Sequence, residues 1–215
     1  MAEHHIWFHE ILGYCNSLEL EFDLIGEQKK IELHKIRDYF ISKINDNQDA
    51  KLTIICTHNS RRSHYGQVWL QIAADFYGLQ NILTFSGGTE ATAFHINAVN
   101  AMKRAGFQVT SQSGDNPIYQ LSYATGKSIS CYSKRFDHEA NPSSNFAAIM
   151  VCNDAVEACP FIPGAEKRFV LPYDDPKVFD NTDLADARYD ERCRQIAGEM
   201  FYVVNSIQGD PAVLD

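Results

Sequence analysis

From Lys51 onward, short apolar runs rich in β-branched residues alternate with helical patterns. That alternation constrains the chain more than any other feature. Residues 52–56, Leu-Thr-Ile-Ile-Cys, form a nearly continuous apolar run, as expected of a strand buried on both faces of a parallel sheet. A helical pattern over 63–77 follows, with Val68, Leu70, Ile72 and Ala73 on its apolar side. Further strands are predicted at 82–85, 107–110, 146–151 and 168–171. Helices are predicted at about 92–104, with Gly106 as C-terminal cap, and at about 184–207. Strands alternating with helices imply an α/β three-layer sandwich with a four- to five-stranded parallel sheet.

Two segments lie outside this pattern. Residues 1–50 read as a helix-rich N-terminal extension ahead of a domain spanning 51–215. An amphipathic helix is predicted over 27–45 on Ile31, Leu33, Ile36, Tyr39, Phe40 and Ile44. Residues 18–24 alternate apolar and charged side chains, which predicts a half-exposed strand. The stretch 111–145 is longer than a plain crossover needs and reads as an insertion near the active face, with an extra strand near Ile129 and Tyr132.

The chain has 215 residues, with 19 Lys and Arg against 28 Asp and Glu, a formal charge of −9. A non-specific nucleic-acid binder needs a basic surface to displace counterions, so no nucleic-acid partner is expected. No apolar run approaches the roughly 20 residues that span a bilayer, and residues 1–7 lack the pattern of a signal peptide. A cytoplasmic protein is therefore expected, with no membrane partner. Six cysteines are too sparse for a disulfide scaffold, so each is either an inert core residue or chemically active.

The segment Cys56-Thr57-His58-Asn59-Ser60-Arg61-Arg62-Ser63 carries chemistry. Cys56 closes a strand, a short loop follows, and Arg62, six residues on, opens a helix. Ligands of open α/β sheets bind at the carboxyl ends of strands. A loop curling there ahead of a helix aims backbone N–H groups inward, beside the positive end of the helix dipole. Residues 57–63 thus form a candidate oxyanion cradle, with Arg62 adding a fork matched to two oxygens of a tetrahedral anion. The same field stabilises a Cys56 thiolate, and so a nucleophile. The Ser63 hydroxyl is placed to steady that thiolate, and the Asn59 side chain to hold the loop by bonding its backbone.

This segment resembles the phosphate-binding loop of the low-molecular-weight protein tyrosine phosphatases and of the thioredoxin-coupled arsenate reductases built on the same fold. The resemblance covers about 51–207. It makes 85–88, Phe-Ser-Gly-Gly, the equivalent of the turn after strand two. His58 stands where the family commonly has glycine and Arg61 where it commonly has cysteine. Gln67 replaces a glutamate that helps bind potassium in some arsenate reductases, so no metal ligand is expected there.

A second segment distinguishes the two branches. Cys152 and Cys159 follow the predicted strand 146–151, Pro160 comes next, and Asp174-Asp175-Pro176 follows the strand after that. By resemblance, Cys152 and Cys159 match the redox pair of the reductases and Asp175 matches the acid of the Asp-Pro loop. Phosphatases of this fold carry the loop but not this pair. The resemblance implies Cys56 attack on arsenate with Asp175 as general acid, a Cys56–Cys152 disulfide, then a Cys152–Cys159 disulfide reduced by thioredoxin, with no bound cofactor. Seven helical residues rise about 10.5 Å, whereas a disulfide tolerates at most about 7 Å between Cα atoms. The segment between Cys152 and Cys159 must therefore be a loop, or melt during turnover.

Other residues have plainer explanations. Cys15, Cys131 and Cys193 are expected to pack, Trp7 and Trp69 to serve as core or interface aromatics, His58 and His64 to be exposed loop histidines, and Arg188, Arg192 and Arg194 to lie on a solvated helix face. Three activities fit: arsenate reduction, hydrolysis of phosphate monoesters such as phosphotyrosine through a phosphocysteine, and non-catalytic anion binding by an interaction module. The extension is a candidate homodimer contact.

Overall fold

The computed structural model describes residues 6–158 and 161–208. Four parallel strands form the central sheet: β1 (Ala50–Cys56), β2 (Ile82–Gly88), β6 (Phe146–Met150) and β7 (Ala165–Val170), in the order β2-β1-β6-β7. Helices α1 (His9–Leu18), α2 (Glu27–Asn45), α3 (Arg62–Phe76), α4 (Ile96–Arg104), α5 (Asn153–Ala158) and α6 (Ala185–Gln208) flank it. The central strands carry the apolar runs: every residue of β6, and all of β1 but Lys51, is buried, whereas β7 on the edge is largely open. A strand buried on both faces has no solvent side to make polar, which is why these runs do not alternate. Along the chain, β1 connects to β2 on one side while β6 returns on the other, a topological switch point where α/β folds hold ligands.

Two local expectations are corrected. Residues 18–24 do not form a strand: α1 ends at Leu18, and a 3-10 helix covers Glu19–Leu24. Leu18 is buried, Phe22 and Ile25 half-buried, and Leu20 and Leu24 are exposed. The residues that pack are thus spaced four and three apart, a helical spacing. The predicted strand at 107–110 is β3 (Gln108–Ser111), but it does not join the parallel sheet. Three of its four residues are exposed, so it cannot lie between two helical layers. It pairs antiparallel with β4 (Tyr119–Ala124), which pairs with β5 (Lys127–Cys131). The 111–145 stretch therefore builds a second, three-stranded sheet, and the parallel sheet has four strands.

The first helices join the same core. Ile11, Cys15 and Leu18 of α1 and Leu33, Ile36 and Phe40 of α2 are buried within the cluster that includes the sheet and α6. Gly106 adopts φ +107°, and a Cβ there would lie 2.6 Å from the Ile11 backbone nitrogen, so only glycine lets the α4 turn seat against α1. Arg194 of α6 reaches Glu21 at 2.8 Å, and the Trp69 ring stacks on Tyr14 at 5.1 Å. Trp69 is a core residue, and Cys15, Cys131 and Cys193 are buried. Among the described residues no helix is long and apolar enough to cross a membrane.

Candidate active site

The segment 56–63 forms the cradle expected from its spacing. Cys56 ends β1 between Gly88 of β2, its register partner, and Val151, whose N–H donates to the Ile55 carbonyl at 2.9 Å. Carbonyls around the loop are taken up from outside. Those of Cys56, Thr57 and Ser60 accept from the amides of Thr89, Glu90 and His95 at 3.1, 2.8 and 2.9 Å. That of His58 accepts from the Ser133 hydroxyl at 2.9 Å. The amides of 57–62 donate to no described acceptor, which leaves them for an anion. Asn59 sits at φ +45°, a left-handed conformation that asparagine tolerates better than most residues. α3 then starts at Arg62 and points its positive end at the loop.

Ser63 lies where expected, its hydroxyl 3.1 Å from Cys56 Sγ. Asn59 acts differently from expectation. Its Nδ2 donates to Ser63 Oγ at 2.9 Å, and its Oδ1 accepts from the Lys134 amide at 2.9 Å, so it ties the cradle to a distant segment rather than to its own backbone. Ser133, Lys134 and Phe136 form a strap here, with Gly88 N–H donating to the Lys134 carbonyl and Phe136 N–H to the Gly88 carbonyl, both at 2.9 Å. Gly88 is required: a Cβ would sit 2.2 Å from the Glu90 carbonyl oxygen and 2.6 Å from that of Thr57.

The two arginines separate in role. Arg62 is buried; its Nη1 donates to the Tyr173 carbonyl at 2.8 Å and its Nη2 to Asp175 Oδ2 at 2.6 Å, while Nε is buried without a partner among the described residues. Asp175 also accepts from the Lys177 amide at 3.0 Å, capping a 3-10 turn at Pro176–Phe179. The loop is braced from behind: Tyr173 donates to Glu199 at 2.7 Å, and Lys29 of α2 donates to the Pro172 carbonyl at 3.2 Å and lies 4.5 Å from the centroid of the Tyr173 ring. Arg61 turns instead to Tyr189 (2.6 Å) and Asp180 (2.8 Å). Asp180 further accepts from Tyr189 and Asn97, with His95 3.7 Å away. Burial alone raises the Asp180 carboxyl, but the Tyr189 hydrogen bond and the Arg61 charge outweigh it and hold it below the ordinary aspartate range. Burial, then the Arg61 charge, lower His95.

Cys152 is buried at the end of β6, and its Sγ lies 3.5 Å from Thr57 Oγ1, on the cradle itself. The next six residues form α5, so of the two arrangements expected between the cysteines the helical one is present. Cys159 lies outside the described residues. The five described cysteines are free thiols.

His64 corrects an expectation. It is not an exposed loop residue but lies fully buried in α3, stacked 4.1 Å from Phe94. Burial, with the nearby Lys134 charge, pushes it down to about 3. His58 is partly exposed, with Glu90 3.7 Å away. Asp180, Tyr189, His95 and Lys134 were not anticipated. No local pattern marks them, because each reaches the cradle from a different part of the chain.

No family model matches the chain. Among curated proteins it is similar to the arsenate reductase of Bacillus licheniformis, 29% identical over 153 residues, 70% of this chain and 92% of that protein. It is 26% identical to the arsenate reductase of Bacillus subtilis over 144 residues, 67% of this chain and 86% of that one. Among solved structures it resembles the low-molecular-weight phosphotyrosine phosphatase of Vibrio cholerae O395, with a TM-score of 0.51 and 14% identity across 74% of this chain and 97% of that one. A YwlE arginine phosphatase is similar at a TM-score of 0.52 and 14% identity, across 76% of this chain and 99% of that one. These structural likenesses describe the fold.

Proposed function

Starting from a chain that belongs to the superfamily uniting low-molecular-weight protein tyrosine phosphatases with arsenate reductases, we propose that it reduces arsenate with its own thiols. The observation that favours this over plain phosphate-monoester hydrolysis is Cys152, whose sulfur touches the cradle through Thr57. Hydrolysis has no use for a second thiol there.

In the first step Cys56 thiolate attacks arsenic(V) held by the 57–62 amides and Arg62. A sulfur–arsenic bond forms, one arsenic–oxygen bond breaks, and the oxygen leaves as water with the Asp175 proton. Arg62 Nε has no other partner among the described residues, and Asp175 is already within reach of the same guanidinium. Next, Cys152 thiolate attacks Cys56 Sγ. The sulfur–arsenic electron pair stays on arsenic, which departs as arsenite, and a Cys56–Cys152 disulfide remains. Cys159 thiolate then attacks Cys152, which frees Cys56 and leaves a Cys152–Cys159 disulfide for a dithiol donor such as thioredoxin. α5 has to unwind for that exchange, since its rise exceeds disulfide reach.

The test is turnover of arsenate with thioredoxin, thioredoxin reductase and NADPH, beside hydrolysis of an aryl phosphate. Cys152→Ser should remove arsenate turnover and leave aryl phosphate hydrolysis within about threefold, because it spares the cradle. Equal arsenate turnover by Cys152→Ser and wild type would refute the thiol relay. An enzyme that hydrolyses aryl phosphate and never reduces arsenate is a phosphatase. A chain that binds phosphate and turns over neither is the interaction module.

A further inference from the structure

Behind the cradle, between the outer strand of each sheet, runs a cleft of about 1210 Å³. β2 ends the parallel sheet on this side and β5 ends the antiparallel one, with α3 as the floor; Gln67 and Asp75 both line it. Eight helical residues separate those two, so the cleft follows α3 for about 12 Å, away from the strand ends where the cradle opens. Leu83, Phe85 and Ile129 supply an apolar wall, and Trp7 stands at the far end.

Two side chains at the cradle-ward end are left incompletely partnered among the described residues. Lys134 is 5% exposed, and its ammonium makes no hydrogen bond or ion pair to a described residue, lying instead over the Tyr132 ring, 4.7 Å from its centroid. Gln67 is 6% exposed and its Oε1 is buried and unbonded, while its Nε2 is spent on the Thr84 carbonyl. An ammonium on a largely buried side chain with a ring but no described anion beside it, and a buried acceptor without a described donor, both belong to residues that line the same cavity. Burial lowers the Lys134 ammonium from the ordinary lysine range, the sign of a charge without compensation. Substrate at the cradle does not resolve this, because Lys134 meets the cradle through its main-chain amide rather than its side chain.

We infer that this cleft is a second ligand site, taking a small organic anion with a flat apolar body, its charged group on Lys134 and a neighbouring N–H or O–H donor on Gln67. The ligand is of small-molecule size because the cleft, at about 1210 Å³, lies just above the roughly 300–1,000 Å³ of ordinary small-molecule pockets. It carries both an anion and a donor because those are the two functions left unmet.

Anilinonaphthalene sulfonate has this chemistry, with a sulfonate, an N–H and fused aromatic rings, and serves as the probe. Titrated into the full chain at neutral pH and followed by its fluorescence and by calorimetry, it should bind at one site per chain. Inorganic phosphate, which goes to the cradle, should not displace it. Lys134→Met should weaken binding about tenfold or more, and Gln67→Leu by about threefold to tenfold, the values of a charged and a neutral hydrogen bond. Lys134→Arg should keep most of the affinity, and Leu83→Trp, which fills the cleft and leaves both polar groups in place, should abolish it. Wild-type affinity in Lys134→Met, displacement by phosphate, or the absence of saturable binding would each overturn the inference. Should Lys134→Met fail to fold, Leu83→Trp decides alone, since wild-type affinity there excludes the cleft.

Discussion

Five described thiols occupy two kinds of surroundings. Cys15, Cys131 and Cys193 lie in the apolar interior, where burial pushes each thiol up to about 12. Cys56 and Cys152 are just as hidden from solvent, yet they sit at the carboxyl ends of neighbouring parallel strands with the Ser63 and Thr57 hydroxyls against them. Depth alone therefore does not separate the two groups. What differs is the polar shell. Strand ends at a switch point collect loop amides, a helix N-terminus and hydroxyls, whereas Cys15 and Cys193 on helices and Cys131 at the end of antiparallel β5 pack into the core.

The contrast can be attacked from the strong end. Cys56→Ser should lower arsenate and aryl phosphate turnover alike by on the order of a thousandfold or more, because the proposed mechanism makes Cys56 the attacking group in both. Asp175→Asn should cost on the order of a hundredfold in kcat, with a smaller change in KM, the pattern of a lost general acid. On the interior side, His64 stays neutral when folded and takes a proton when unfolded near 6.5. Its depressed value stabilises the fold above 6.5, a contribution lost as pH falls toward about 3. Denaturant melts should therefore lose up to roughly 1.4 kcal/mol per pH unit across that window, and His64→Asn should flatten the slope. Asp180→Asn should reduce turnover by no more than about tenfold, through looser placement of Arg61, and cost about 1 kcal/mol of stability at neutral pH. That stabilising share belongs to the carboxylate, so it is present above the ordinary value of 3.8 and lost as pH falls below it. Last, Cys193→Ala should leave both activities unchanged and lower stability by about 1–2 kcal/mol, since this thiol packs in the core, accepts from Trp69 Nε1 at 3.2 Å and donates to Met102 Sδ at 3.7 Å.

The legible part of the molecule is the part written contiguously. Cys56 through Ser63 sit within eight residues, and strand, loop and helix start follow from local pattern, so the cradle emerges from the sequence nearly complete. Cys152 and Asp175 stand out only through their likeness to a known motif; nothing local marks them, and the parallel pairing of β6 with β1 and the Arg62–Asp175 bond bring them in. Asp180, Tyr189 and Lys134 gave no signal, because their meaning lies in contacts across 119, 128 and 75 residues of chain. The misplaced strand at 107–110 has the composition of a sheet residue but not its burial. Apolar content alone cannot tell an edge of a small antiparallel sheet from a member of a covered one.

The glycine at position 88 has one more consequence. Main chain touches main chain there on three sides, with the Glu90 and Thr57 carbonyls and the Asn59 nitrogen all within 2.7 Å of where a methyl would go. An engineer seeking to widen or retune the proposed anion pocket thus has almost no freedom in its walls, which are made of peptide rather than of replaceable side chains. Altered selectivity has to be sought at the mouth, in the residues that approach whatever the oxyanion is attached to.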